Sequence, residues 1–276
     1  MKVIVGVTTT KARLGIFFYS FQSLKRQSFE DFRIAISLSK EPYLFDEGID
    51  AIPEWMKGGN VQVDFVANSG PYRKLLPQIA RINDEDIVVT ADDDVIYSDD
   101  WLKRLVGKAT EKPEFIVCCG ARKIRRNLLG GFQNYSNWEL CSEIETGADL
   151  LPTCGSGAVF RKNLLDLEFL SDEAYLEYAP TNDDLWFRLA SMRKGVEVYV
   201  DPRIDRENGY IRHYKGLQEI NLHWAKGGQS MYKRMAVKIR NKVRNYLGIP
   251  LSRNDLAWRR SWEYATARAS VVRSNR

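Results

Sequence analysis

Three consecutive carboxylates stand directly behind a β-branched run in Val88–Tyr97, VVTADDDVIY. At neutral pH adjacent carboxylates repel, and each raises its neighbours' pKa, so Asp92, Asp93 and Asp94 demand compensation from a cation or from water. Asp92 and Asp94 alternate along an extended segment and can aim their carboxylates the same way. An oxygen-only pair with open positions suits a hard divalent ion, Mg2+ or Mn2+, shared with the phosphates of a substrate. The plainer alternative is that the triple ends a strand and caps the helix SDDWLKRLV. Ser98 and Asp99 already suit that cap, which leaves the triple without a structural task.

A second acidic pair, Asp183 and Asp184, opens the amphipathic segment DDLWFRLASMRKG. One acid there, or Asn182, serves as helix cap and favours the helix dipole, and a second is available for proton transfer. Lys74 follows a Gly-Pro turn in NSGPYRKLLP and can set an ammonium against a phosphate or a base. Arg73 is a weaker substitute in the same role, and a solvated lysine on a helix face is the alternative. Gly155, Ser156 and Gly157 precede the apolar Ala158–Phe160, which suits either close backbone approach to a ligand or a tight turn. Cys154 has no histidine near it in sequence and reads as a small buried residue rather than a nucleophile.

These groups need elements to carry them. KVIVGVTT, FRIAISLSK, VQVDFVAN and DIVVTADDD read as four strands, and LGIFFYSFQSLKRQSF places Phe17, Phe21 and Leu24 at helical spacing. PYRKLLPQIARI is helical in composition, with Pro77 able to interrupt it. Strand–helix alternation predicts an α/β fold with a mostly parallel central sheet flanked by helices. Ligands of such sheets bind beyond the carboxyl ends of the strands. Thr8–Thr10, Asn68–Gly70 and Asp92–Asp94 all follow strands, so they are expected on one rim.

The chain is 276 residues long and 44% hydrophobic, enough for one large domain or a domain with an appendage. No apolar run approaches the roughly 20 residues of a membrane helix. MKVIVGVTTTKAR reads as a first core strand rather than a signal peptide. The four cysteines lack CxxC spacing, which predicts reduced thiols in a cytoplasmic protein. Of 41 basic and 36 acidic residues, 13 and two fall between Lys226 and Arg276; the remaining 28 and 34 leave the body mildly acidic. The glycine pair in AKGGQS marks the expected boundary, giving a body over 1–225 and a basic helical extension over 226–276.

Within that extension, 231–247 combines Met231, Met235, Ile239, Val243 and Tyr246–Leu247 at spacings of three to four with six basic residues and no acid. That is a basic amphipathic helix, fit to pack on the body or to dock on an anionic membrane surface. Nucleic acid is not expected as a partner, because the tail lacks a recognisable module and the body is acidic.

The segment ADDDV resembles the DxD signature of glycosyltransferases of GT-A fold, which hold a nucleotide-sugar diphosphate through a divalent ion. NSGPYRKLLP resembles the Gly-Pro-x-x-Lys-Leu element that precedes DxD in some bacterial capsule and surface-glycan enzymes. LLPTCGSGAVF resembles the glycine-rich segment lining their donor sugar, and APTNDDLWFRLA the acidic motif that supplies the base in inverting members. The resemblance covers roughly residues 1–205 and is to the broad family-2-like set and its exostosin-like relatives.

It implies a metal-dependent inverting transferase that moves a sugar from a nucleotide-diphosphate donor, with UDP the commonest nucleotide, to a glycan or lipid-linked acceptor. Asp184 would be the base and Asp183 would contact the acceptor. Thr8, Thr9, Asn68, Arg73, Lys74, Asp92 and Asp93 would line the nucleotide, and Gly155–Gly157 the donor sugar. The metal would be held by Asp94 and Asp92, with a histidine from beyond the last core strand VEVYVDP, His223 preferred over His213. Such an enzyme would work on the cytoplasmic side, peripheral to the membrane where its acceptor is lipid-linked. Two rivals remain. A sugar nucleotidyltransferase shares the layout but needs a glycine-rich phosphate loop, where TTTKARLG offers one glycine; a non-catalytic glycan-binding protein would not need Asp184.

Overall fold

The computed structural model describes residues 1–212 and 240–274. Four β-branched runs form the parallel half of the sheet: β1 (Val3–Val7), β2 (Arg33–Leu38), β3 (Val61–Phe65) and β4 (Ile87–Thr90), side by side in the order β3-β2-β1-β4. The row continues with β10 (Ala158–Phe160), antiparallel to both β4 and β6 (Ile116–Cys118). Next comes β11 (Val198–Val200), parallel to β6, and an antiparallel edge strand β8 (Glu145–Gly147) ends the eight-stranded sheet. Two ribbons stand beside it: β5 (Val95–Ile96) with β12 (Gly209–Tyr210), and β7 (Ala121–Lys123) with β9 (Leu150–Pro152). The expected α/β architecture, mostly parallel and flanked by helices, is the observed one.

Strands covered on both faces need apolar side chains on both, which explains the continuous run VIVGV. Val3, Val5 and Val7 join a layer with Phe17, Phe21 and Leu24 of α1 (Leu14–Lys25) and Trp101, Leu102 and Leu105 of α3 (Trp101–Glu111). Ile4 and Val88 join the opposite layer, with Leu185, Trp186 and Phe187 of α6 (Asp183–Met192). The same layer takes in Ala257, Trp258 and Ala265 of α7 (Arg253–Ser274), so the end of the basic tail is part of the main core. Here α7 lies against α5 (Tyr175–Tyr178) and α6.

Some local expectations change. PYRKLLPQIARI is not one helix: a 3-10 turn, Gly70–Lys74, hands over to α2 (Leu76–Ile79), with Pro77 in the first turn of α2, where its missing N–H costs nothing. Ser98 and Asp99 do not cap α3. The cap position is Asp100, which makes no side-chain cap bond, and the free N–H of Leu102 is taken instead by Gln27 Oε1 at 2.8 Å, from just beyond α1. Asn182 sits at the cap position of α6 but bonds Asn254 Oδ1 at 2.6 Å rather than a helix amide.

In the tail, 240–247 is helical. The remainder of the amphipathic segment (231–239), the expected boundary near 225 and both His213 and His223 lie outside the described residues. Among the described residues no helix is long and apolar enough to cross a membrane.

Candidate active site

Strand ends bring the acidic triple to one rim, where two basic side chains serve its three acids. Asp93 is buried, accepts a hydrogen bond from Thr9 Oγ1 at 2.6 Å and pairs with the Arg13 guanidinium at 2.5 Å. Burial pushes its carboxyl up to about 6, against the opposing pull of Arg13 and Thr9. Asp94 pairs with the same guanidinium at 2.8 Å, and Asp92 pairs with the Lys74 ammonium. The charge compensation demanded by the triple is therefore supplied by two protein cations. Burial would lower the pKa of Arg13, but Asp93, Asp94 and Asp92 outweigh it and leave the guanidinium still more firmly protonated.

Arg13 is not among the residues that the sequence patterns single out. The signal was there: a basic residue a few positions after β1 must share the rim with whatever follows the adjacent β4.

Lys74 reaches the second acidic pair as well, lying 3.2 Å from Asp183. The lysine is buried, which alone would depress its pKa; Asp183, Asp92 and Asp184 reverse this and raise it well above the ordinary value. A glycine makes the position possible. A Cβ on Gly6 would stand 2.0 Å from the Lys74 carbonyl, so only the glycine of VIVGV lets the Gly70–Lys74 turn lie across β1. Burial raises the Asp183 carboxyl, with Lys74 pulling the other way. Burial and then Asp183 push Asp184 up to about 7. Asp184 Oδ1 accepts from the backbone N–H of Cys154 at 3.2 Å. The Cys154 thiol is itself buried and raised well above its ordinary pKa, as expected of a structural rather than nucleophilic cysteine.

The glycine-rich segment is fitted to the acids from the other side. Tyr97 Oη accepts from the Asp92 backbone N–H at 2.8 Å and donates to the Gly155 carbonyl at 2.7 Å, clamping the two segments together. A Cβ on Gly155 would lie 2.3 Å from Asp92 Oδ2, so this glycine permits close approach to the acid itself. Ser156 offers its carbonyl to the Trp101 indole N–H at 2.9 Å, and Gly157 packs against the same ring.

The remaining expected residues sit slightly behind the rim. Thr8 Oγ1 donates to the Ser37 carbonyl at 2.7 Å. Arg73 is 1% exposed and pairs with Asp46 at 2.8 Å, and Asn68 donates to Asp46 at 3.2 Å, so Asp46 ties the loop after β2 to the loop after β3. Asp46 was not singled out in the sequence, because nothing local distinguishes it from a loop acid.

Among the described residues no group of three His, Cys, Asp or Glu side chains is placed to hold a metal ion. Asp92 and Asp94 are oxygen donors of the type a hard cation takes, and each is held by a protein cation, Lys74 and Arg13 respectively.

Comparison with known proteins adds the family. The glycosyl transferase family 2 profile matches residues 19–167, a stretch that carries Lys74, Asp92–Asp94 and Gly155–Gly157 but not Arg13 or the Asp183–Asp184 pair. Among solved structures, S. aureus TarS 1–349 is 18% identical with a TM-score of 0.44, over 73% of this chain and 60% of that one. S. aureus TarS 1–349 in complex with UDP is 16% identical with a TM-score of 0.46, over 72% of this chain and 57% of that one. The chain thus spans less than two thirds of the length of those proteins. A comparison with curated proteins returned no match. The family profile covers more than half of the sequence and includes its acidic triple, and this chain belongs to glycosyl transferase family 2.

Proposed function

We propose that the protein transfers a sugar from a nucleotide-diphosphate donor to an acceptor hydroxyl by a single, inverting displacement. The observation that carries this reading is the Lys74 ammonium shared between Asp92 and Asp183, which brings the acidic triple and the acidic pair to one site. The donor diphosphate would lie against Lys74, Arg13 and the acidic triple. A Mg2+ or Mn2+ ion held by Asp92 and Asp94 would offset charge on the departing nucleotide.

Asp184 would accept the proton of the acceptor hydroxyl as its oxygen attacks the anomeric carbon. A carboxyl pushed up to about 7 is suited to that task, because a base works best with its pKa near the operating pH. The C–O bond to the diphosphate breaks as the new one forms on the opposite face, so configuration inverts. UDP is the nucleotide to try first, because it is the commonest donor nucleotide of the enzymes whose DxD signature ADDDV resembles. The acceptor is a glycan or a lipid-linked glycan, with the enzyme peripheral to the cytoplasmic face of the membrane.

A donor screen read by release of free nucleotide tests the reading, supported by calorimetry of UDP with and without Mn2+. No nucleotide affinity under either condition would leave only a glycan-binding role. Pyrophosphate release from a sugar phosphate and a nucleoside triphosphate would instead identify a nucleotidyltransferase.

A further inference from the structure

The most exposed large apolar side chains in the described protein are Leu128 and Leu129, 94% and 84% exposed at the tip of a hairpin. The tip is built, not frayed. Asn127 N–H donates to the Gly131 carbonyl at 2.8 Å, and Asn127 Oδ1 accepts from the Leu129 and Gly131 amides at 2.9 and 3.1 Å. Two adjacent leucines are thus held outward by a closed hydrogen-bonded turn, where water contact costs the most apolar surface.

The hairpin is tied to the helical segment 240–247. Leu128 N–H donates to Tyr246 Oη at 3.1 Å, and Asn127 Nδ2 to the Tyr246 carbonyl at 3.3 Å. That segment adds exposed Val243, Tyr246 and Leu247, and exposed Ile249 follows it. Scattered exposed apolar residues mean little, but two segments rich in them and bonded to each other through Tyr246 do. Its charge surroundings are one-sided along the tail: residues 240–254 contain Arg240, Lys242, Arg244 and Arg253 and no acid. Apolar anchors flanked by basic side chains match the interface of a bilayer with anionic headgroups.

We infer that the Leu128–Leu129 hairpin tip and residues 243–249 form a single surface that docks on an anionic membrane, with the two leucines inserted into the acyl boundary. Arg126, Gly130 and Gly131 of the same hairpin line a cavity of about 240 Å3 whose walls include Asp255 and Trp258 of α7, so the surface is braced on the folded core. The inference does not depend on the transfer chemistry proposed above.

Sedimentation with phosphatidylcholine vesicles, with and without phosphatidylglycerol, tests this without any sugar donor. The protein is expected to sediment only with the phosphatidylglycerol vesicles and to be released by salt. Leu128→Ser with Leu129→Ser should weaken vesicle partitioning by about tenfold or more at every salt concentration, since two leucines leave the apolar phase. Its thermal melt should be unchanged, because neither side chain is packed. Val243→Ser with Leu247→Ser repeats the test on the other limb, and Arg240→Gln with Lys242→Gln should weaken binding chiefly at low salt. The proposal is overturned if the wild type ignores anionic vesicles, if it binds pure phosphatidylcholine equally, or if the double-leucine variant sediments like the wild type. It is also overturned if sedimentation velocity shows a dimer that the leucine variant dissociates, which would make the surface a contact between copies of this chain.

Discussion

The ammonium of Lys74 lies 3.2 Å from the carboxylate of Asp183. Both groups are buried, and the same ammonium holds Asp92, so the lysine is the charge link between the acidic triple and the acidic pair. Replacing it by methionine keeps the volume but leaves Asp183 buried without its partner. Breaking a buried pair from one side costs about 3–5 kcal/mol. Lys74→Met is expected to shift the urea unfolding midpoint down accordingly and to weaken UDP binding in calorimetry. An unchanged midpoint would show that the pair contributes nothing to the fold.

Asp184 provides a pH signature. With its carboxyl at about 7, transfer should rise with pH through that value and level off above it. Stability should move the opposite way. The folded carboxyl is raised above the unfolded value of about 3.9, so the protonated group's contribution is complete below pH ~4 and is lost as pH rises through about 7. Asp184→Asn removes the ionisation altogether. It should abolish transfer, retain nucleotide binding, and melt at a higher temperature than the wild type at pH 8 while gaining less at pH 4. Loss of activity only in Asp183→Asn would move the base by one residue.

Arg13 already occupies Asp94, one of the two carboxylates that a divalent ion would use, while Lys74 holds the other, Asp92. Removing it leaves the buried Asp93 and the rim Asp94 without their guanidinium. Arg13→Gln is expected to lower stability on the order of 3 kcal/mol, and to tighten binding of Mn2+ in the absence of nucleotide, read from the free-ion signal in electron paramagnetic resonance. Asp94→Ala should do the reverse, removing Mn2+-dependent UDP affinity with little change in melting. If EDTA leaves UDP affinity of the wild type untouched, Asp92 and Asp94 hold no catalytic cation.

Much of this architecture could be read from local pattern. β1 to β4, α1, α3 and α6 each carry their own periodicity, and strand ends in a parallel sheet fall on one rim by topology. Asp92 was legible for the same reason, and Lys74 from its Gly-Pro turn and the resemblance carried by NSGPYRKLLP. What escaped was set by tertiary geometry. Arg13 and Asp46 are ordinary loop residues until distant strands bring acids and bases together. The helix cap of α3 is missed because it comes from Gln27, about 75 residues earlier. Tyr97 looks like a strand aromatic, and only the packing of the glycine-rich segment turns its hydroxyl into a clamp. The packing of α7 was obscured by its charge, since a basic composition hides the few apolar positions that reach the core.

The fate of a truncated chain follows from that packing. Trp258 of α7 stacks edge-on against both Phe132 and Trp138, at centroid distances of 5.3 and 5.1 Å, and Trp262 meets Phe132 at 4.8 Å. Tyr264 lies over Trp186 of α6 and donates to Asp172 at 2.7 Å, while Arg268 pairs with the same Asp172. Asp255 holds the Tyr135 amide at 2.7 Å. Deleting residues 253–276 would therefore expose Trp138 and Trp186, both fully buried in the intact protein, and unpin the loop that carries Tyr135. Loss of one large buried aromatic contact already costs about 3 kcal/mol or more, and several are lost together against a total stability of about 5–15 kcal/mol. The shortened protein is expected to be insoluble or to bind a hydrophobic dye strongly, and to lose nucleotide affinity along with its near-ultraviolet circular dichroism. Deletion of 269–276 alone should leave the melt within a few degrees of the intact chain. If the protein ending at residue 252 instead melts cooperatively and binds UDP, α7 is an appendage, and the core of the sheet is complete without it.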